Sequence, residues 1–363
     1  MARVVGHLDL DYFYAQVEEV LNPSLKVKPV LVCVFSGRTE DSGVVATANY
    51  LARELGVKSG IPIATAKRKL QGADAALIKM QREKYEAVSE RVMSLVEENV
   101  DVLEQTGIDE AFFDLSGSTA GDFNRAKATA ARIKELVLKS EGLTCSVGLG
   151  QSKAVAKIAS DFQKPNGLTV VEPGSTASFL NPLPVTKLYG VGPKAAETLE
   201  SLGVKTVGEL SRSSAQDLEA KFGRKLGAYF LAASAGSDSE PVVPRGEPTQ
   251  LSRIVTLKQN TTNPEVAFEQ LSGAIEDVHG RLVARGTSFR VISATAILSD
   301  LTVKTKSKTF DTPVSDLATM REATKRLLAE LSTTAGKEFR RVGVRVSDFG
   351  SSKEQSSLNQ YIG

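Results

Sequence analysis

The stretch His7-Leu8-Asp9-Leu10-Asp11-Tyr12-Phe13-Tyr14-Ala15-Gln16-Val17-Glu18-Glu19 closes an apolar run, residues 4–10, on carboxylates instead of turn residues. The run predicts a buried strand, so negative charge collects at the strand's carboxyl end. Residues 12–21 then have helical periodicity and stop at Asn22-Pro23, because the residue before a proline is pushed out of the helical region. Asp9 and Asp11 therefore sit on a strand-to-helix turn. Strand alternation returns Asp11 to the side of Asp9, while its place before Tyr12 suits a helix N-cap. Further along, Thr106-Gly107-Ile108-Asp109-Glu110-Ala111-Phe112-Phe113-Asp114 supplies a second acidic pair. Unpaired buried carboxylates are costly, and a divalent cation is the simplest partner that makes such a cluster tolerable. A hard ion such as Mg²⁺ takes carboxylate oxygens together with substrate phosphates, so the two segments read as one two-metal site for phosphoryl transfer.

At 363 residues, with 41% hydrophobic and 24% charged, the chain exceeds one ordinary core, and two or more domains are expected. No apolar run approaches the ~18 residues that span a bilayer, and no basic segment followed by an apolar core opens the chain. A cytoplasmic protein without a membrane partner is the expectation. Cys33 and Cys145 lie in apolar runs, with His7 and His279 the sole histidines; this excludes a disulfide framework, a zinc site and histidine-based triads. The net charge of +2 is unevenly spread: residues 245–345 hold 16 Lys/Arg against 11 Asp/Glu. A basic late region beside an early acidic site suits a nucleic-acid enzyme, and equally a solvated basic face.

Buried strands are predicted over 30–35 and 44–48, with a short helix over 49–55 closed by Gly56, in a loop-rich insert covering 13–78. A helix over 83–98 follows, then a hairpin of strands 101–105 and 111–115 whose connection holds Asp109-Glu110. A helix over 122–140 and a strand over 144–149 complete a β-α-β-β-α-β order, which suggests a ferredoxin-like core. Residues 172–236 read as helical. Within them Leu188-Tyr189-Gly190-Val191-Gly192-Pro193-Lys194 suits a helix-hairpin-helix, whose glycines expose backbone N–H groups to a phosphate; a plain αα-turn is the alternative. The Gly-, Ser- and Pro-rich residues 237–249 read as a linker, and 250–347 as a separate C-terminal domain.

Two more stretches join the acidic ones: Ala46-Thr47-Ala48-Asn49-Tyr50-Leu51-Ala52-Arg53 and Lys157-Ile158-Ala159-Ser160-Asp161-Phe162-Gln163-Lys164-Pro165-Asn166-Gly167. In this order and spacing, the four resemble Y-family DNA polymerases, specifically the archaeal DinB/DNA polymerase IV branch, over essentially the whole chain. The resemblance implies an α+β multidomain fold. A ferredoxin-like palm (1–12 and 79–171) carries inserted fingers (13–78), followed by a helical thumb with the helix-hairpin-helix (172–236), the linker, an α+β little finger (250–347) and a flexible tail (348–363). It implies a template-directed, low-fidelity translesion polymerase without proofreading, acting as a monomer on primer–template DNA and deoxynucleoside triphosphates, in the cytoplasm with the nucleoid.

Carried over by position, Asp9 and Asp109 bridge two Mg²⁺ ions, with Mn²⁺ a possible substitute; Glu110 is the third carboxylate and Leu10 offers a backbone carbonyl. Thr47, Tyr50, Arg53 and Lys164 meet the triphosphate with the backbone at Tyr12 and Phe13, and a phenol, a forked guanidinium and an ammonium suit three phosphates. By the same resemblance, Tyr14 matches the steric gate against a ribose 2′-hydroxyl. Val34, Val44, Ala46 and Gly60 flank the templating base, and their small volume implies loose selection. The resemblance further implies that Gly190, Gly192 and Lys194 of the thumb and Arg253, Lys258, Arg340, Arg341 and Arg345 of the little finger contact DNA phosphates. Gln355, Leu358, Tyr361 and Ile362 resemble a sliding-clamp-binding motif in which Ile362 replaces an aromatic. Gly107 departs from the serine usual in the family without removing a metal ligand. A noncatalytic DNA-binding scaffold that recruits the clamp, and a nucleotide cyclase on the same kind of core, are the competing readings.

Overall fold

A computed structural model describes residues 1–244 and 246–351, so the four clamp-motif positions lie outside the described residues. Strand β1 (Val5–Leu10) runs through the first core and ends at the acidic turn. The insert contributes β2 (Val30–Phe35), β3 (Gly43–Ala48) and β4 (Ala76–Lys79), in a small sheet of order β3-β2-β4. Strands β5 (Val102–Gln105), β6 (Glu110–Asp114), β7 (Cys145–Gly150) and β8 (Leu168–Val170) join β1 in the order β5-β6-β1-β7-β8. β1 is antiparallel to both β6 and β7, the arrangement a ferredoxin-like core requires. Helices Arg82–Glu97 and Phe123–Glu141 cover one face, burying Tyr85, Val92, Ile133 and Val137 against Leu8, Leu10, Val147 and Leu149.

The other face carries helix Lys153–Phe162, started by Ser152, whose side chain accepts from the Val155 amide. It lies hard against β7. A Cβ at Gly148 would fall 2.2 Å from both the Ala156 carbonyl oxygen and the Ser160 amide, so glycine permits the approach. This closeness carries Lys157 and Ser160 onto the site.

After Val170 the chain is helical: Thr176–Leu180, Pro193–Ser201, Val207–Ser211 and Ala215–Ser234, the last kinked at Gly223 with φ 77°. The arm before the glycine hairpin is a single 3₁₀ turn, Val185–Lys187, shorter than the helical stretch expected there. Residues 237–243 differ from the free linker expected. Arg3 donates to the carbonyls of Asp238 and Glu240, the Val243 amide donates to Glu104 Oε2 at 2.9 Å, and Val242 is buried beside Val5, Phe112 and Ala156. Linker composition signals the absence of regular structure; it does not exclude one apolar side chain from an adjacent core.

Met1–Val34 and Val44–Arg245 form one compact unit; Phe35–Gly43, inside the insert by sequence, groups with a second unit that begins at Gly246. In that unit β9 (Gln250–Thr261), β10 (Thr287–Leu298), β11 (Val303–Val314) and β12 (Phe339–Ser351) form an antiparallel sheet of order β11-β10-β12-β9. Helices Pro264–Val283 and Leu317–Ala335 cover one face, against which Val342, Val344 and Val346 are buried. Period-2 alternation leaves Arg341, Gly343 and Arg345 on the other face. Among the described residues no helix is long and apolar enough to cross a membrane.

Candidate active site

The acidic turn is fixed by backbone pairing before any side chain matters. Asp9 stands opposite Glu110 in the β1–β6 register and opposite Ser146 in the β1–β7 register. The Leu10 amide donates to the Asp109 carbonyl at 2.8 Å, tying the hairpin connection to the end of β1. Tyr12 then turns with φ 35°, a left-handed conformation uncommon outside glycine, and the helix Phe13–Leu21 begins. Asp11 is not the N-cap, a position that Tyr12 takes, and its carboxylate turns to β7. It is 1% exposed and accepts from Thr144 Oγ1, Ser146 Oγ and the Asn166 amide, each at 2.8 Å. These bonds fasten the acidic turn to β7 and to the Lys164–Gly167 loop.

Asp9, Leu10, Tyr12, Phe13, Tyr14, Ala46, Thr47, Tyr50, Arg53, Asp109 and Lys164 line one cleft of about 280 Å³, together with Ser59. Thus two of the three expected carboxylates meet the triphosphate set. Asn49 caps the helix Tyr50–Glu54, so Tyr50 and Arg53 project from its first turns; the Arg53 guanidinium carbon lies 4.9 Å from the Tyr50 ring centroid and Nε donates to the Ala48 carbonyl at 2.8 Å. Tyr12 meets Tyr50 edge-on at 5.2 Å. Tyr14 rests on the Tyr85 ring, centroids 4.7 Å apart, and Tyr85 is fully buried with its hydroxyl on Glu18, so the Tyr14 ring has a rigid backing.

Lysines hold the carboxylates. Lys164 Nζ lies 2.7 Å from Asp9 Oδ1 and 2.8 Å from Asp161 Oδ1. Lys157 Nζ lies 2.5 Å from Glu110 Oε2, and the His7 Nε2 edge faces the same oxygen at 3.5 Å. Burial pushes the Asp9 carboxyl up to about 6 despite Lys164, and burial raises Asp109 as well. The flanking His7 ring and Lys157 ammonium hold Glu110 down at about 2. Burial opposes the Lys164 charge, but Asp9 and Asp161 outweigh it and raise its pKa.

Glu110 therefore points to Lys157 and His7, away from the cleft. Among the described residues no three carboxylate, imidazole or thiol groups converge to hold an ion in this arrangement. The donor chemistry nevertheless fits a hard divalent cation: oxygen ligands on adjacent backbone positions, two of them destabilised as anions by burial. A Cβ at Gly107 would stand 2.9 Å from Glu110 Cγ, so glycine accommodates this placement of the Glu110 side chain where any larger residue would press on it.

Of the positions expected at the templating base, Ala46 lines the cleft, Val34 and Val44 are 43% and 37% exposed, and Gly60 has φ +86° with open space where a Cβ would be. Gly190 has φ +87° and Gly192 starts helix Pro193–Ser201 without a side-chain cap, leaving that helix's first amides without a capping side chain. In the second unit the Nε atoms of Arg340, Arg341 and Arg345 are buried without a partner among the described residues. Arg253 is not with them. It shares the helix-covered face with Leu251 and Val255, and its Nε lies 2.5 Å from Asp277 Oδ2 of helix Pro264–Val283. Lys258 is exposed within the irregular stretch of the β9–β12 pairing, between Thr256 and Thr261. No local signal marks His7, Lys157, Ser160 or Tyr85: His7 begins the first acidic stretch and Lys157 and Ser160 lie within residues 157–167, but only packing reveals what they face.

Family models for the impB/mucB/samB family match residues 8–161, for its C-terminal domain residues 248–360, and for its helix-hairpin-helix motif residues 173–204. A DNA polymerase IV of Methanosarcina acetivorans is 40% identical over 99% of this chain and 100% of its own length. One of Nitrosopumilus maritimus is 39% identical over 99% of both. Among solved structures, a Y-family DNA polymerase chimera of Dbh and Dpo4 superposes with a TM-score of 0.90 at 36% identity, covering 96% of this chain and 99% of its own. An insertion ternary complex of Dbh DNA polymerase gives a TM-score of 0.69 at 35% identity with the same coverage. The acidic residues at the paired ends of β1 and β6, the cleft beside them and these relatives together establish that the chain belongs to the Y-family DNA polymerases, on their archaeal DNA polymerase IV branch.

Proposed function

We propose that this polymerase adds deoxynucleotides to a primer 3′-hydroxyl with two Mg²⁺ ions held by Asp9, Asp109, Glu110 and the Leu10 carbonyl. The observation that carries this reading is the meeting of Asp9 and Asp109 with Tyr50, Arg53 and Lys164 in one cleft. When bound, the ions supply a primer hydroxyl of lowered pKa and charge neutralisation for the pyrophosphate leaving group. Arg53 and Tyr50, stacked and anchored to the helix start, orient the triphosphate. Lys164 exchanges Asp9 for a phosphate oxygen, which leaves Asp9 free as a ligand. Tyr14, backed by Tyr85, stands beneath the sugar and excludes a ribose 2′-hydroxyl by collision.

The openness around Val34, Val44, Ala46 and Gly60 supports passage of damaged or bulky template bases, because rejecting a wrong pair requires close packing. Gly190, Gly192 and Lys194 grip one strand's phosphates, and Arg340, Arg341 and Arg345 grip the template, without reading sequence. The motif Gln355 to Ile362 is the proposed clamp contact, weakened by the isoleucine. The protein acts as a monomer near the nucleoid. The deciding test is primer extension with Mg²⁺ on undamaged and abasic-site templates, beside Asp109→Ala. Extension past the lesion, reduced at least ~10³-fold in the variant with DNA affinity within a few-fold, is expected; an active variant refutes the site, and DNA binding without any extension favours the scaffold reading.

A further inference from the structure

Lys157 is placed where the reading above gives it nothing to do. Its ammonium is not in the triphosphate cleft, which Lys164 serves, but on the far side of Glu110. There it lies 2.5 Å from Glu110 Oε2, 3.3 Å from His7 Nε2 and 5.3 Å from the centroid of the Tyr189 ring. The aim is built in. His7 is 1% exposed, its Nδ1 is 2.8 Å from Ser160 Oγ one turn along from Lys157, and its ring packs 4.6 Å from Phe112. Tyr189 is the residue just before Gly190 of the glycine hairpin, and its carbonyl accepts from Tyr229 at 2.9 Å. One ammonium thus occupies the junction between the acidic turn and the hairpin whose amides suit a phosphate.

A strand held by that hairpin, with its end at Asp109 and Glu110, would pass this junction. When Glu110 turns to a divalent ion, the Lys157 ammonium, 18% exposed, loses its anionic partner and is left to take another anion by a charge-assisted hydrogen bond. We propose that Lys157, aimed by His7 and Ser160, binds the last internucleotide phosphate of the primer and so sets the position of its 3′ end. This inference rests on the polymerase reading of the site, and its test separates the two.

Primers ending in either an ordinary phosphodiester or a neutral methylphosphonate at the terminal linkage are compared on wild type, Lys157→Gln and Lys157→Arg. Affinity is read by fluorescence anisotropy with Ca²⁺, which takes the same oxygen ligands, and single-turnover incorporation is read with Mg²⁺. For wild type, the neutral linkage is expected to weaken binding roughly 10-fold and to slow incorporation by a similar factor, the scale of one lost charge-assisted contact. Lys157→Gln loses as much on the ordinary primer and nothing further on the neutral one, nucleotide affinity is unchanged, and Lys157→Arg recovers part of the loss. Additive losses, or a loss confined to nucleotide affinity, overturn the proposal. Non-additive binding without incorporation by wild type upholds the phosphate contact and sinks the polymerase site instead.

Discussion

The palm and the C-terminal sheet both concentrate like charges, and they handle them in opposite ways. In the palm, Lys164 and Lys157 pair with Asp9 and Glu110 from within the same unit. In the C-terminal unit, Arg38, Arg340 and Arg341 crowd one another; burial and these two neighbours lower the Arg38 pKa, and Arg38 donates to neutral acceptors on Leu257 and Asn260. The palm's lysines neutralise the acidic site from within the protein itself. Among the described residues Arg340 and Arg341 have no partner at Nε, which suits a surface whose counter-charge, a phosphate backbone, comes from outside.

That contrast breaks most readily on the arginine side. Arg341→Gln with Arg345→Gln should weaken primer–template binding ~10- to 100-fold at moderate salt, equally across sequences, and flatten the salt dependence by roughly two counterions. A titration of Kd against ionic strength decides it; an unchanged slope places the grip elsewhere. A smaller effect is expected from Lys164→Met, which leaves Asp9 and Asp161 without their cation. Because both partners of the Asp9 pair are about a quarter exposed or less, the loss without metal should be ~1–2 kcal/mol, seen as a lower Tm in EDTA and partly restored by Mg²⁺. Equal destabilisation with and without Mg²⁺ would show that the lysine is merely structural.

The smallest effect concerns pH. The folded Asp9 pKa, about 6, lies above its ordinary value of 3.8, so the folded state holds the extra proton between these values. Stability from this group is complete below pH 3.8 and is lost as pH rises through about 6. In EDTA, Asp9→Asn should remove that part of the decline, on the order of 1–2 kcal/mol between pH 4 and 7, whereas Mg²⁺ should remove it in wild type by favouring the carboxylate. Identical pH profiles for wild type and variant in EDTA would contradict the burial of Asp9.

Much of this molecule was legible in one dimension. The run 4–10 and the hairpin around Asp109-Glu110 became β1, β5 and β6 because apolar periodicity and turn chemistry are local properties. Motif order located the cleft residues Thr47, Tyr50, Arg53 and Lys164 for the same reason: each sits where its own short element begins or ends. The basic alternation of β12 correctly put Arg341 and Arg345 on one face. Charge alone does not say which face of β9 Arg253 occupies, and pairing with Asp277 on a helix distant in sequence decided that.

Sequence by itself determined the family, the acidic turn and the elements that flank it, since these depend on residue type and short spacing. The tertiary structure alone decided that Asp11 is a buried anchor for three donors, that residues 237–243 lie along the palm, and that Glu110 faces Lys157 and His7. Each of these depends on partners far apart in the chain, and only the packing of helix Lys153–Phe162 onto Gly148 brings that helix's side chains within reach of the acidic turn.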